Sequence, residues 1–149
     1  MKQICITGGA GFIGSNAAAW YRKEGYAVTI FDNLSRHGAE ENLRWLQEGH
    51  GTIQLVKGDI RDAAAVATLF RETVFDRILH CAAQVAVTTS VTDPMTDFTV
   101  NAQGTLHVLE GVRHGKNPKA PLIYTSTNKV YGGLEDLLVR EEGTGMCLR

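Results

Sequence analysis

The chain has few cysteines, little net charge and no long apolar run. Its three cysteines, spread over 149 residues, are too few and too far apart for a disulfide framework or a zinc site, so we expect reduced thiols. A formal net charge of -1 gives no electrostatic basis for binding nucleic acid or an anionic membrane. No apolar run approaches the ~20 residues of a membrane span, and the N-terminus lacks a signal-peptide pattern. These absences favour a cytoplasmic protein without a metal site.

Short apolar runs alternate with helix-like segments along the chain. The strand candidates are residues 3–7, 27–32, 52–59, 77–83 and 121–127. The helix candidates are residues 12–25, 39–49, 62–72 and about 94–113. This alternation predicts βαβ units and one α/β domain with a parallel sheet. Four of the strand candidates are nearly continuous apolar runs, which indicates that helices cover both faces of the sheet.

Side-chain spacing predicts which helix residues share a face. The residues that recur at helical spacing, with Trp45 as a further candidate, are Leu43, Leu46, Val66, Leu69, Phe70, Phe98, Ala102, Leu106 and Leu109. Asp62 is the predicted cap of the third helix, and Gly25 and Gly49 are predicted helix ends.

Three glycines follow the first strand with G-x-x-G-x-x-G spacing. Gly8, Gly11 and Gly14 lie between that strand and the first helix, the context in which a glycine fingerprint is credible. The first suits a tight turn, the second the close approach of a pyrophosphate, and the third the packing of helix against strand. N–H groups of the first helical turn would then point at the phosphates. The alternative is a turn that only needs positive φ angles.

Acidic residues end the second and third strands. Asp32 can accept hydrogen bonds from adenosine ribose hydroxyls and would repel a 2′-phosphate, which favours NAD over NADP. Arg36 complicates that choice, because its guanidinium can lie against the adenine or a phosphate, or in solvent. Asp59 and Ile60 can flank the adenine, although the motif taken alone favours an ordinary strand-to-helix turn with a capping aspartate.

Strands four and five end in small and hydroxyl-bearing residues. Ala82 and Ala83 allow the chain to pass beside a flat cofactor. His80 is a candidate general base, but its apolar surroundings favour a buried histidine whose partners are backbone groups. Thr125, Ser126 and Thr127 lie at the carboxyl edge of the sheet, where open α/β folds bind ligands, although threonine also suits strands without any function.

Five motifs, taken in order, resemble a known family. "TGGAGFIG", "GDIRD", "HCAAQ", "NAQGT" and "STNKVYG" are similar to the extended short-chain dehydrogenase/reductases that act on nucleotide sugars. The resemblance covers about residues 1–140 and implies a Rossmann-type doubly wound sheet with strand order 3-2-1-4-5. The longer strings "FDNLSRHGAEENLRWL" and "QVAVTTSVTDPMTDFTVN" resemble the CDP-paratose 2-epimerase (CDP-tyvelose epimerase) branch.

The resemblance also implies roles for individual residues. The cofactor-binding residues would be Gly8, Gly11, Phe12, Ile13, Gly14, Asp32, Asn33, Ser35, Arg36, Asp59, Ile60, Ala82, Ala83, Gln84 and Asn101. Asn101 would order either the strand-four loop or the cofactor itself. Thr127 stands where the family has its catalytic serine or threonine. Gln84, Thr89 and Ser90 would lie near the sugar of a nucleotide-sugar substrate, with a CDP-sugar favoured.

The implied chemistry is epimerisation through transient oxidation at C2 of the sugar, with NAD as cofactor. Two other functions stay open. One is a UDP- or dTDP-sugar 4-epimerase or 4,6-dehydratase, although Asn128 and Lys129 after Thr127 replace the acidic pair expected of a dehydratase. The other is a non-catalytic NAD-binding module. Homo-oligomerisation is also left open.

The sequence departs from the family at its C-terminal end. The family's Tyr-x-x-x-Lys pair is absent, since Tyr124 is followed four places on by Asn128 and Tyr131 by Glu135. Residues 141–149 no longer resemble the family. We therefore expect an NAD-binding domain at 1–140 that stops after strand five and lacks its substrate domain, and a chain that is inactive alone. Strand five would then be an open apolar edge.

Overall fold

The computed structural model describes residues 1–127, 139–142 and 145–148. Its strands are β1 (Gln3–Thr7), β2 (Ala27–Asp32), β3 (Gln54–Lys57), β4 (Arg77–His80), β5 (Leu122–Tyr124), β6 (Val139–Glu142) and β7 (Gly145–Leu148). Its helices are α1 (Phe12–Lys23), α2 (Ala39–Gly49), α3 (Ala63–Glu72), α4 (Val87–Thr92), α5 (Pro94–Phe98) and α6 (Thr105–Arg113), with a π-helical segment (Thr99–Gly104) between the last two.

The first five strands form one parallel sheet in the order β3-β2-β1-β4-β5. The predicted Rossmann-type α/β fold and its strand order are therefore confirmed. Where β1 pairs with its two neighbours, Thr7 lies between Phe31 of β2 and His80 of β4, so the carboxyl ends of β1, β2 and β4 meet at one edge. Ligands of open α/β sheets bind at such an edge.

Two apolar clusters sandwich the sheet. Because side chains alternate along a strand, Ile4 and Ile6 pack on one face with α1 and α2, whereas Cys5 packs on the other with α3 and α6. All three side chains are fully buried. The predicted inward residues of α2 and α3, such as Leu46 and Phe70, lie in these clusters. Trp45 does not, since 45% of it remains exposed.

The helical run from Pro94 to Arg113 differs from the single helix predicted there. A π-helical segment interrupts it, and the predicted apolar stripe faces outward, with Phe98, Leu106 and Leu109 exposed by 59%, 55% and 46%. The buried residues of α6 are Val108, Gly111 and Val112 instead. A Cβ on Gly111 would lie 2.7 Å from Phe70 Cδ2, so α6 approaches α3 too closely for a larger residue at that position. The two valines join the apolar cluster that contains Phe70.

Several boundaries also differ from the prediction. The structure shortens the strands expected at 52–59, 77–83 and 121–127. After β3 and β4 the chain leaves the sheet and lines the cleft at its carboxyl edge. The structure also adds α4, and it places β6 and β7 in an antiparallel pair of their own that begins at Val139, two residues before the segment expected to diverge. Across the described residues, no helix is both long and apolar enough to span a membrane. Residues 128–132 of the "STNKVYG" motif lie outside the described residues.

The start of α3 gives a direct test of local stability. The Asp62 carboxylate accepts hydrogen bonds from the Ala64 and Ala65 N–H groups, at 2.9 and 3.0 Å. We expect Asp62→Ala to lower the free energy of unfolding by about 1 kcal/mol, since these N–H groups lose their partner. Urea denaturation measures the change. Asp62→Asn, which keeps an oxygen acceptor, should recover most of it; an equal loss in both variants would contradict the capping role.

Candidate functional site

A cleft of about 400 Å³ opens at the carboxyl edge of the sheet. It runs across the ends of β3, β2, β1 and β4, and so spans the point between β1 and β4 where the strand order reverses. The lining residues that the sequence predicted are Gly8, Gly11, Phe12, Ile13, Gly14, Asp32, Asn33, Ser35, Arg36, Asp59, Ile60, Ala82, Ala83 and Gln84. These residues come from four separate segments, which begin at or after the ends of β1, β2, β3 and β4 and which the parallel topology brings together.

The glycine turn that closes β1 has no room for side chains at its first and third glycines. Gly8 has φ +66°, and a Cβ there would lie 2.6 Å from Ala82 N. A Cβ on Gly14 would overlap Gly8 O and lie 2.7 Å from Gly9 Cα. At Gly11, by contrast, a Cβ would meet one atom within 4 Å, Gly8 O at 3.2 Å. The second glycine therefore leaves bare backbone facing the cleft.

Two side chains bind the backbone N–H and C=O of Ala10. Asp32 Oδ2 accepts a hydrogen bond from Ala10 N–H at 3.0 Å, and Asn42 Nδ2 donates to Ala10 O at 2.9 Å. The other Asp32 oxygen accepts from Leu34 N–H at 2.8 Å, and Leu34 has a left-handed φ of +58°. These bonds fix the Asp32 carboxylate between the glycine turn and the loop after β2.

Helix α1 begins at the floor of the cleft. Gly11 is its N-cap; within this fully described helix, no side chain caps the first turn and no acidic residue lies in it. Phe12 and Ile13 are 81% and 61% exposed and line the opening. The first turn of α1 therefore presents the positive end of the helix dipole to the cleft with no carboxylate of its own, an arrangement that suits a bound anion.

A charged cluster stands where β3 ends. Arg61 donates from Nε and Nη2 to the two oxygens of Asp59, at 3.0 and 2.6 Å, and Asn33 Nδ2 donates to the same carboxylate at 2.9 Å. The Arg61 guanidinium holds the pKa of the Asp59 carboxyl well below its usual range. Asp59 is therefore a fixed anion that ties the loops after β2 and β3 together.

The loop after β4 forms the opposite end of the cleft. Asn101 holds it from behind: its Oδ1 accepts from Gln84 N–H and its Nδ2 donates to Gln84 O, both at 2.9 Å. Asn101 itself is not among the described lining residues. Neither are Thr89, Ser90 and Thr127, and Ser90 Oγ donates to Asp97 Oδ1 at 2.7 Å.

His80 lies beneath this loop and does not reach the cleft. Its side chain is 1% exposed, with Nδ1 at 2.5 Å from Thr7 Oγ1 and Nε2 at 3.1 Å from Thr105 Oγ1. The expectation of a buried histidine is correct, but the expectation of backbone partners is wrong, because two threonine hydroxyls satisfy the ring. Burial lowers the pKa of His80 to about 4, so the ring is neutral at pH 7.

Sequence reasoning missed other residues of the site. The additional lining residues are Phe31, Ala39, Gly58, Arg61, Cys81, Val85, Thr96 and Val100. Thr96 and Val100 are four residues apart on one helical run, a spacing that could have revealed them. No sequence spacing points to Asn42, because Ala10, the residue that its side chain binds, is distant in sequence. Among the described residues no group of three or more His, Cys, Asp or Glu side chains could hold a metal ion.

The chain matches a known family over almost its whole length. The family model for GDP-mannose 4,6-dehydratase matches residues 5–145. The chain belongs to this family. The predicted membership of the extended short-chain dehydrogenase/reductases is thereby confirmed.

Two relatives of the chain carry the names of nucleotide-sugar epimerases. The chain is similar to the CDP-paratose 2-epimerase of Salmonella typhi, with 46% identity across 95% of the chain and 41% of that protein. It is 44% identical to a probable UDP-arabinose 4-epimerase of Arabidopsis thaliana across 89% of the chain and 32% of the relative. The chain therefore spans well under half the length of these relatives.

A solved structure shares the fold. The UDP-glucose 4-epimerase from Stenotrophomonas maltophila, crystallised with bound NAD and formylated UDP-arabinopyranose, superposes with a TM-score of 0.80 and 29% identity. The alignment covers 89% of this chain and 39% of that one. This chain is thus similar to a solved UDP-glucose 4-epimerase in fold.

The packing of the glycine turn predicts the effect of a single methyl group. Gly14→Ala should lower the free energy of unfolding by about 1–3 kcal/mol, because the new Cβ would be forced against Gly8 and Gly9. Chemical denaturation measures the loss. Gly49→Ala is the matched control, since a Cβ at Gly49 meets nothing within 4 Å and should change stability little. Equal effects in the two variants would show that the turn is not tightly packed.

Burial of His80 predicts a pH dependence. Its pKa is about 4 in the folded chain against 6.5 for the free side chain, so the unfolded chain binds the proton first as pH falls. The stabilisation is therefore complete above pH 6.5 and is lost toward pH 4, at about 1.4 kcal/mol per pH unit. Titration of the His80 ring by NMR in the folded chain should give a midpoint near 4; a midpoint near 6.5 would contradict its burial.

Proposed function

We propose that this chain is the NAD-binding half of a nucleotide-sugar epimerase. The observation that carries the proposal is the cleft at the strand-order reversal, where the open N-terminus of α1 lies beside the fixed carboxylate of Asp32. Comparisons support it, because relatives over this segment are epimerases and a solved neighbour holds NAD. The epimerase activity of the whole protein is proposed in the same way.

The residues present fit a dinucleotide. Backbone packs too closely around Gly8 and Gly14 to admit a Cβ, and Gly11 leaves backbone open to the cleft. We assign the pyrophosphate to this turn, where the residues that would hold it are Gly8, Gly11, Phe12, Ile13 and Gly14. A diphosphate there would meet the positive end of α1, which has no acidic residue in its first turn.

The adenosine half is assigned to the ends of β2 and β3. Asp32 would accept the ribose hydroxyls, because each carboxylate oxygen has capacity beyond its one bond to a backbone N–H. The same negative charge would disfavour a 2′-phosphate. The remaining residues assigned to this half are Asn33, Ser35, Arg36, Asp59 and Ile60.

The nicotinamide half is assigned to the loop after β4. A dinucleotide whose adenosine lies over β2 and β3 and whose phosphates lie over β1 must extend over β4, given the strand order. Ala82, Ala83 and Gln84 line that end of the cleft, and Asn101 orders the loop through its two bonds to Gln84. NAD, when bound, would supply reversible oxidation of the sugar.

The substrate is proposed to be a CDP-sugar epimerised at C2, on the strength of the similarity to CDP-paratose 2-epimerase. Thr127, three residues beyond β5, is the proposed hydrogen-bonding partner of the reacting hydroxyl. Gln84, Thr89 and Ser90 are proposed to lie near the sugar. Homo-oligomerisation and a cytoplasmic location stay predictions.

A UDP-sugar 4-epimerase is the second candidate. It is favoured by the 44% identity to a probable UDP-arabinose 4-epimerase and by the fold shared with a UDP-glucose 4-epimerase. Both candidates use the same cofactor cleft and differ in the part of the site that recognises the nucleotide and sugar.

Cofactor choice tests the proposal. We expect the chain to bind NAD at least about tenfold more tightly than NADP, a difference of about 1.4 kcal/mol that repulsion between Asp32 and a 2′-phosphate readily supplies. Asp32→Asn should weaken NAD binding and shrink the preference. Isothermal titration calorimetry measures both affinities.

Asp76→Asn is the matched control for Asp32→Asn. Asp76 Oδ2 also accepts a hydrogen bond from a backbone N–H, that of Gln3 at 2.7 Å, but Asp76 is not among the described lining residues of the cleft. Its substitution should leave the NAD preference unchanged. Tighter binding of NADP than NAD by the unmodified chain would refute the assignment of Asp32, and binding of neither would refute the proposal.

A further inference from the structure

The loop after β4 is held at both ends by hydrogen bonds that converge on one buried ring. Ala82 N–H lies 3.4 Å from Thr7 Oγ1, whose hydroxyl contacts one His80 nitrogen, and Thr105 Oγ1 contacts the other. Thr105 in turn bonds Asn101, which holds Gln84. We call this series the His80 relay; in order, its members are Ala82, Thr7, His80, Thr105, Asn101 and Gln84.

The available donors allow only one donor-to-acceptor direction for the hydrogen bonds along the relay. Thr105 Oγ1 donates its one proton to Asn101 O at 2.7 Å, so toward His80 it can only accept, and His80 Nε2 must carry a hydrogen. A neutral ring then has Nδ1 as an acceptor, and Thr7 Oγ1 donates to it. Thr7 remains free to accept from Ala82 N–H. Every group in the series is satisfied in one arrangement of protons.

The far end of the relay returns to the same loop. The side chain of Asn101 holds both the N–H and the carbonyl of Gln84, and its Nδ2 also donates to Asp97 Oδ1 at 3.0 Å. Asn101 lies in the π-helical segment and Thr105 begins α6. Irregular π-helical turns occur frequently at functional sites. The relay thus spans from the end of β1 to the Gln84 loop through the interior.

We propose that His80 and Thr105 are positioning residues that set the loop from Ala82 to Gln84 against the nicotinamide half of NAD. His80 is 1% exposed and does not line the cleft, so it acts through its neighbours rather than on a ligand. The inference rests on the proposed function. It adds that the relay holds the nicotinamide end of the cleft, whereas other contacts, those of Ala10, Asn42 and Leu34, hold the Asp32 end.

Binding of two ligands, NAD and ADP-ribose, distinguishes the nicotinamide end of the cleft from the Asp32 end. NAD carries the nicotinamide and ADP-ribose does not, although both have the adenosine and the pyrophosphate. We expect Thr105→Val to weaken NAD binding about tenfold and to leave ADP-ribose binding within about twofold, since one hydrogen bond of the relay is lost far from the adenosine. Thr105→Ser, which keeps the hydroxyl, should restore NAD affinity.

Thr29→Val is the matched control. Thr29 is a buried threonine of β2 outside both the relay and the described cleft lining, and its substitution should change neither affinity. Equal weakening of the binding of both ligands by Thr105→Val, or no weakening, would overturn the inference.

¹⁵N NMR of the unliganded chain tests the relay itself, because the relay requires the hydrogen of His80 on Nε2. A hydrogen on Nδ1 would refute the relay while leaving NAD binding intact, whereas an unmodified chain that binds neither ligand refutes the proposed function and this inference with it.

Discussion

The close approach of backbone to backbone at the glycine turn is the constraint on which the site depends. A Cβ at Gly8 would lie 2.6 Å from Ala82 N, so β1 can contact the loop after β4 only if that position has no side chain. Gly14 similarly allows α1 to begin directly beneath the turn. Asp32 and Asn42 then bind the N–H and the C=O of the intervening Ala10. These contacts fix the positions of β1, α1 and the cleft relative to one another.

The two ends of the cleft are stabilised by different chemistry. Fixed charge dominates one end, where Asp59 is paired with Arg61 and the Asp32 carboxylate is held by two backbone N–H groups. At the other end, a neutral buried histidine and its hydroxyl partners support the loop after β4. A dinucleotide with a polar adenosine half and a reactive nicotinamide half matches this division, which is why the proposed function accounts for both ends.

Much of this arrangement could be predicted from sequence, because its signals are local. The glycine spacing after β1 and the acidic end of β2 each lie within a few residues of the feature they mark. What could not be predicted depends on contacts between distant segments. Asn42 binds a carbonyl of the glycine turn, and His80 finds its partners on β1 and α6. The prediction for the last helix was wrong because its buried face, formed by Val108, Gly111 and Val112, is set by the close approach of α3, whereas Leu109 is exposed.

The most direct test of the account follows the backbone amides of the chain by ¹⁵N NMR while NAD is added. The account predicts that the largest shift changes occur at the amides from Gly11 to Gly14 and around Asp32, with smaller ones at the loop after β4. The surface hollow beside Trp20 and His50, at the far side of α1, should stay unchanged. Shift changes centred on that hollow, with the glycine turn unaffected, would contradict the claim that the turn and Asp32 form the dinucleotide site.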